Sequence, residues 1–190
     1  MARSDNLHAL PDNLPIPVDD GAAGHLTGMR VPSGPLLSTS GATVDLATLP
    51  GRTVVYCYPR TGEPDKDVPP GWNEIPGARG CTPQSCAFRD HYQELRAQQA
   101  GVFGLSTQDT AYQREAKERL HLPFDLLSDD ALAFTHALRL PTFTTSGMTL
   151  TKRLTLILRD GVIEHVFYPV FPPDQNAADV IVWLVQHPTR

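Results

Sequence analysis

"GARGCTPQSCAFRD", residues 77–90, holds two of the chain's three cysteines, Cys81 and Cys86. Read forward, it turns from a Gly/Pro-rich loop into a helix. From Thr82 onward Cys86, Phe88, Tyr92 and Leu95 recur near helical spacing, Pro83 is tolerated in a first turn, and Gly101 marks a stop. Cys81 therefore falls at the helix N-terminus, where unpaired N–H groups and the positive end of the helix dipole favour an anion. In an ideal helix, positions i and i+5 differ by about 7.5 Å of rise and 140° of rotation, which separates their Cα atoms by roughly 8–9 Å. A disulfide needs about 4.4–6.8 Å. The two thiols can bond only if the first turns unwind, and Pro83 with the glycines before it is expected to make that unwinding cheap. On spacing alone two readings stand: a thiol pair for redox chemistry, and two packing residues on a partly apolar helix. A zinc site is disfavoured, because neither Cys57 nor His91 completes the paired spacing of zinc ligands.

Upstream, TVVYCYP (Thr53 to Pro59) is a β-branched and aromatic run of the kind that forms a buried central strand, with Cys57 silenced inside it. Between that strand and the helix, residues 61–80 carry four prolines and four glycines and predict an irregular inserted loop. Its Trp72 suits either a cover folded over a site entrance or a side chain packed on the body. PLLSTSGATVDL, from Pro35, reads as a hairpin, and residues 1–30 as an irregular extension of a domain spanning 31–190. Downstream, VFGLST predicts a strand, DTAYQREAKERLH a solvated helix, and LPFDLLSDD a connector whose Ser128 or Asp129 caps the helix DALAFTHAL. LTLILRDGVIEHVFYP is the strongest hairpin signal. A last helix near Gln175 to Gln186 places Ala178, Val180, Ile181, Leu184 and Val185 on its apolar stripe. Strands alternating with helices, then a hairpin and a closing helix, predict an α/β fold with a mixed sheet covered on both faces.

A net charge of -5 without a basic run argues against nucleic acid or an anionic membrane surface as partner. The absence of an apolar leader or membrane span leads to the expectation of a cytoplasmic protein, where a disulfide would be transient and chemical. The histidines show no metal-binding spacing.

Several stretches match a known family in order. GCTPQSCAFRD resembles the active-site helix of peroxiredoxins, specifically the peroxiredoxin Q (bacterioferritin-comigratory) group. VVYCYP resembles the strand leading into that helix, GLSTQD the following strand and turn, LPFDLLSDD the family's LPF-x-LLSD stretch, and KRLTLILRDG the segment with its active-site arginine. The resemblance runs from about Leu36 to Val185 and implies a thioredoxin-like fold and a thiol peroxidase that needs no cofactor. It makes Cys81 the peroxidatic nucleophile, Cys86 the resolving thiol that closes an intramolecular disulfide, and Arg153 the cation that stabilises the thiolate and polarises the peroxide. Lys152 and Arg159 are left to solvent. The implied partners are a hydroperoxide and thioredoxin or a similar dithiol, and the implied state is a monomer. One departure stands out: the family threonine three residues before the nucleophile is Ala78 here. Thr61, just after the proline-ended strand, is the first candidate to supply the hydroxyl; Thr82 is the second, and a site without one the third. A rival reading is a non-enzymatic redox sensor using the same disulfide switch.

Overall fold

In the computed structural model, which describes residues 6–189, the strands are β1 (Leu36–Ser38), β2 (Thr43–Val44), β3 (Arg52–Cys57), β4 (Ala100–Ser106), β5 (Leu126–Ser128), β6 (Thr142–Thr145), β7 (Met148–Thr151), β8 (Leu154–Arg159) and β9 (Val162–Phe167). The helices are α1 (Cys81–Asp90), α2 (Tyr92–Ala97), α3 (Thr110–Leu120), α4 (Ala133–Leu138) and α5 (Asn176–Gln186). Seven strands form one sheet in the order β2-β1-β5-β4-β3-β8-β9. β3, β4 and β5 run parallel, and the flanking pairs are antiparallel. All residues of β3 are buried because it pairs on both edges and is covered on both faces.

Alternation along β3 divides the interior in two. Val54, Tyr56 and Tyr58 face a core shared with Phe88 of α1, Leu95 of α2, Ala116 and Leu120 of α3, and Val180 and Leu184 of α5. Val55 and Cys57 face the opposite core, built with Phe134 and Leu138 of α4 and with Leu154, Leu156 and Leu158 of β8. The mixed sheet with helices on both faces is thus present. Residues 6–29 contain no helix or strand, yet Ala23 and Leu26 are buried in the second core. The first five residues of the expected extension lie outside the described residues.

The β8–β9 hairpin turns at Asp160 (φ 49°) and Gly161 (φ 76°), the left-handed pair that a two-residue turn requires. The helix expected to run from Thr82 to Gly101 breaks at His91 and ends at Ala97, with Gln99 in the left-handed region at φ 58°. Ala100 and Gly101 open β4 instead, because parallel pairing with Arg52 and Thr53 claims them. LPFDLLSDD is not wholly a connector, since it contains β5. Leu126 packs into one core and Leu127 into the other, and three residues are too few to display strand alternation. Asp129 does cap α4, from a distance: its carboxylate accepts from Phe134 N at 2.9 Å, Thr135 N at 2.8 Å and the Thr135 hydroxyl at 2.6 Å.

Two further elements depart from expectation. Ala177, Val180 and Leu184 are the buried residues of the α5 stripe, whereas Val185 is 56% exposed. The β6–β7 hairpin was not anticipated from the sequence. With Ala78 it forms the bed for Trp72: Leu150 of β7 is buried against the indole, and Phe143 of β6 lies 6.2 Å from it between ring centroids. The inserted loop also contains one short 3-10 turn, Trp72–Glu74, at this anchor.

Candidate active site

Gly80 sets the start of α1. It sits at φ 107°, and a Cβ there would stand 2.3 Å from Pro173 Cγ, so the backbone passes where no side chain fits. Cys81 follows as the first helical residue, 4% exposed. The end of β3 approaches from the other side and delivers Arg60, whose backbone N–H donates to Cys81 Sγ at 3.4 Å.

Arg153 lies just before β8, whose first residue, Leu154, pairs with Cys57. Its guanidinium is buried at the thiol. Nη2 is 3.2 Å from Cys81 Sγ and also donates to the carbonyls of Gly77, Ala78 and Arg79 at 3.1–3.2 Å. Nη1 donates to Gln84 Oε1. Gln84 Nε2 in turn donates to Asn176 Oδ1 at 2.9 Å, and the Thr155 hydroxyl donates to that same oxygen at 2.6 Å. One buried cation therefore fixes the loop before Cys81, the sulfur itself and the first helical turn. Two donors, a guanidinium and a backbone N–H, thus converge on one sulfur.

A small cavity opens beside the sulfur, lined by Arg60, Thr61, Trp72, Thr82 and Tyr112 among others. Thr61 is buried and rigidly placed. Its N–H and hydroxyl both donate to Gln108 Oε1, at 3.0 and 3.2 Å, while Gln108 Nε2 returns a bond to the Thr61 carbonyl at 3.3 Å. With the hydroxyl hydrogen so engaged, the Thr61 oxygen keeps its lone pairs. Ala78 is buried and offers only its carbonyl, which lies 3.7 Å from Cys81 Sγ. The chain thus brings Thr61 and Thr82 to one cavity, and the insertion supplies Trp72 to its wall while anchoring that side chain on the body.

Cys86 lies further along α1, half-buried and outside this cavity, and burial pushes its thiol up. All three cysteines are free, and the intact helix holds Cys81 and Cys86 apart. Cys57 faces the second core, where burial and the nearby Asp129 carboxylate push its thiol far above the ordinary range. The first turn of α1 is not loosely held, contrary to the expectation from Pro83 and its glycines. Besides the Arg153–Gln84–Asn176 chain, Tyr56 Oη donates to Ser85 Oγ at 3.1 Å, and Phe88 stacks on Tyr56 at 4.4 Å.

Arg60, Gln84 and Gln108 were missed from the sequence. Gln84 had a signal, since i+3 places it on the same helical face as Cys81; the other two depend on contacts between distant segments. Lys152 Nζ bonds Asp20 at 2.7 Å, Tyr168 Oη bonds the same carboxylate at 2.8 Å, and together they hold it far below its ordinary range. Arg159 lies 3.5 Å from Glu164. Neither cation is part of the Cys81 site. Among the described residues, no cluster of three or more His, Cys, Asp or Glu could hold a metal ion.

A model of the Redoxin family matches residues 26–181. The chain belongs to the Redoxin family. Among curated relatives of this redoxin, the chloroplastic peroxiredoxin Q of Oryza sativa subsp. japonica is 31% identical over 156 residues, covering 81% of this chain and 64% of the relative. The chloroplastic peroxiredoxin Q of Triticum aestivum is 30% identical over the same shares. The match thus spans a little under two thirds of those relatives' length. Among solved structures, peroxidoxin BcpB of Mycobacterium tuberculosis superposes with a TM-score of 0.69 at 24% identity, over 87% of this chain and 100% of that one. Peroxiredoxin Q of Xanthomonas campestris gives 0.63 at 20% identity, over 92% and 98%. The redoxin has the thioredoxin-like fold of these proteins, and its sequence relatives are of the peroxiredoxin Q group.

Proposed function

We propose that this redoxin is a thiol peroxidase that reduces hydrogen peroxide or an organic hydroperoxide, with thioredoxin or a similar dithiol as its reductant. The observation that carries the reading is the Cys81 sulfur at a helix N-terminus, 3.2 Å from the buried Arg153 guanidinium and beside a cavity walled by Thr61. The thiolate attacks one peroxide oxygen, the O–O bond breaks, and the leaving oxygen departs as water or alcohol after taking a proton. Arg153 stabilises the negative charge that passes from sulfur to that oxygen. The Thr61 oxygen accepts a hydrogen bond from the peroxide O–H and so orients it. Cys81 is left as a sulfenic acid.

Cys86 then attacks the sulfenic sulfur, a disulfide forms, and water leaves. A separation of roughly 8–9 Å across an intact helix means that α1 must first open at its N-terminal end. Opening removes Gln84 and Ser85 from their partners, so it is a distinct step after oxidation. Two electrons from the external dithiol regenerate both thiols.

The test is peptide mapping by mass after one equivalent of peroxide, joined to a turnover assay with thioredoxin, its reductase and NADPH. A Cys81–Cys86 disulfide and sustained NADPH consumption are expected. Cys86→Ser should give one stoichiometric oxidation and then stop. A single oxidation without turnover in the parent protein would favour a sensor.

A further inference from the structure

The first described residues do not trail away from the body; they cross the loop that leads into Cys81. Leu7 lines the same cavity as the sulfur. The Asn6 carbonyl accepts a hydrogen bond from Arg79 Nη2 at 2.8 Å, and Leu10 Cδ2 lies 2.9 Å from the Cβ position of Gly80. Further on, Pro17 comes within 3.7 Å of the Cβ position of Gly77. Gly77, Arg79 and Gly80 are thus each touched by this one segment.

The cavity it helps to line measures about 20 Å³. A single water occupies about 10–15 Å³, so this narrow space suits a small molecule. Its two covering walls differ. On the insertion side Trp72 is anchored, 4% exposed, against Ala78 and Leu150. On the other side Leu7 is only partly buried, between exposed neighbours.

We propose that Asn6–Pro17 is a specificity-determining strap. Seated, it limits the Cys81 cavity to the size of hydrogen peroxide and keeps bulky organic hydroperoxides from the sulfur. The substrate named here rests on the peroxidase reading above; the steric claim rests on the cavity alone.

Two variants test it: a chain lacking residues 1–11, and Leu7→Ala, which leaves the backbone of the strap in place. The readout is the ratio of single-turnover oxidation rates of Cys81 with cumene hydroperoxide and with hydrogen peroxide. Truncation should raise that ratio about tenfold, and Leu7→Ala about threefold, as expected when an apolar wall is removed. A second readout is the rate of Cys81 alkylation by a bulky fluorescein maleimide relative to iodoacetamide, mapped by mass, which should move in the same direction. If neither peroxide oxidises Cys81 in any form, the peroxidase reading falls while the alkylation ratio still decides the strap. Ratios that stay within about twofold of the parent in both variants overturn the proposal.

Discussion

Cys57 and Cys81 are both buried thiols on one domain, yet their surroundings could hardly differ more. Cys57 closes β3 among leucines, and its one charged neighbour of consequence, Asp129, opposes ionisation. Cys81 is nearly as hidden but has the Arg153 guanidinium at 3.2 Å, the Arg60 N–H at 3.4 Å and open space beside it. In the proposed reading, burial does not decide whether a sulfur is inert. What decides is whether the groups enclosing it are donors and whether a second molecule can fit.

Several substitutions would break or sharpen this contrast. Cys81→Ser should reduce peroxide turnover to background in the NADPH-coupled assay, whereas Cys57→Ala should leave it intact; equal losses would erase the distinction. Arg153→Met removes the only side-chain cation hydrogen-bonded to the Cys81 sulfur among the described residues, and should slow Cys81 oxidation about 10²–10³-fold in stopped-flow measurements. Thr61→Val keeps the shape of the cavity wall but deletes the acceptor. A loss of about tenfold in kcat/KM is expected, the equivalent of one hydrogen bond at the reacting peroxide.

The smallest effect concerns pH and Cys57. Its folded thiol is held above the ordinary value of about 8.5, so as pH rises past that point the unfolded chain sheds a proton that the folded chain keeps. Stability should then fall, with a contribution of up to about 1.4 kcal/mol per pH unit from this one group. Urea unfolding between about pH 8 and 10 measures it, below the range where tyrosines dominate. Cys57→Ala should flatten the slope by about 1 kcal/mol per unit, and an unchanged slope would mean that Cys57 is not the group responsible.

The parts of the molecule that sequence reading reached are those in which neighbours in the chain are neighbours in space. β3 showed itself as an uninterrupted apolar run, the β8–β9 turn as Asp160-Gly161 between two strands, and the α1 start as a loop running into helical spacing. What it missed depends on partners far along the chain. β5 is three residues long and exists because β1 and β4 pair with it. The β6–β7 hairpin has a partly exposed, threonine-rich sequence and is packed by Trp72 from an insertion some seventy residues earlier. Gln108 matters only because Thr61 reaches it, and the firmness of the first α1 turn only because Tyr56, Asn176 and Arg153 converge there. Cys81, Cys86, Arg153 and Thr61 were all named from the sequence. The structure brings Cys81, Arg153 and Thr61 together and leaves Cys86 outside.

Gly80 carries no reactive group, and a search for reactive groups would pass over it. Yet three stretches distant in sequence meet at its missing β-carbon: Leu10 from the beginning of the chain, Pro173 from near its close, and the backbone about to present Cys81. A methyl group there would act as a wedge, displacing the sulfur from its cation while leaving every strand in register. Saturation mutagenesis scored by peroxide resistance should therefore recover glycine almost alone at position 80, with the replaced variants accumulating as soluble, well-folded and inactive protein.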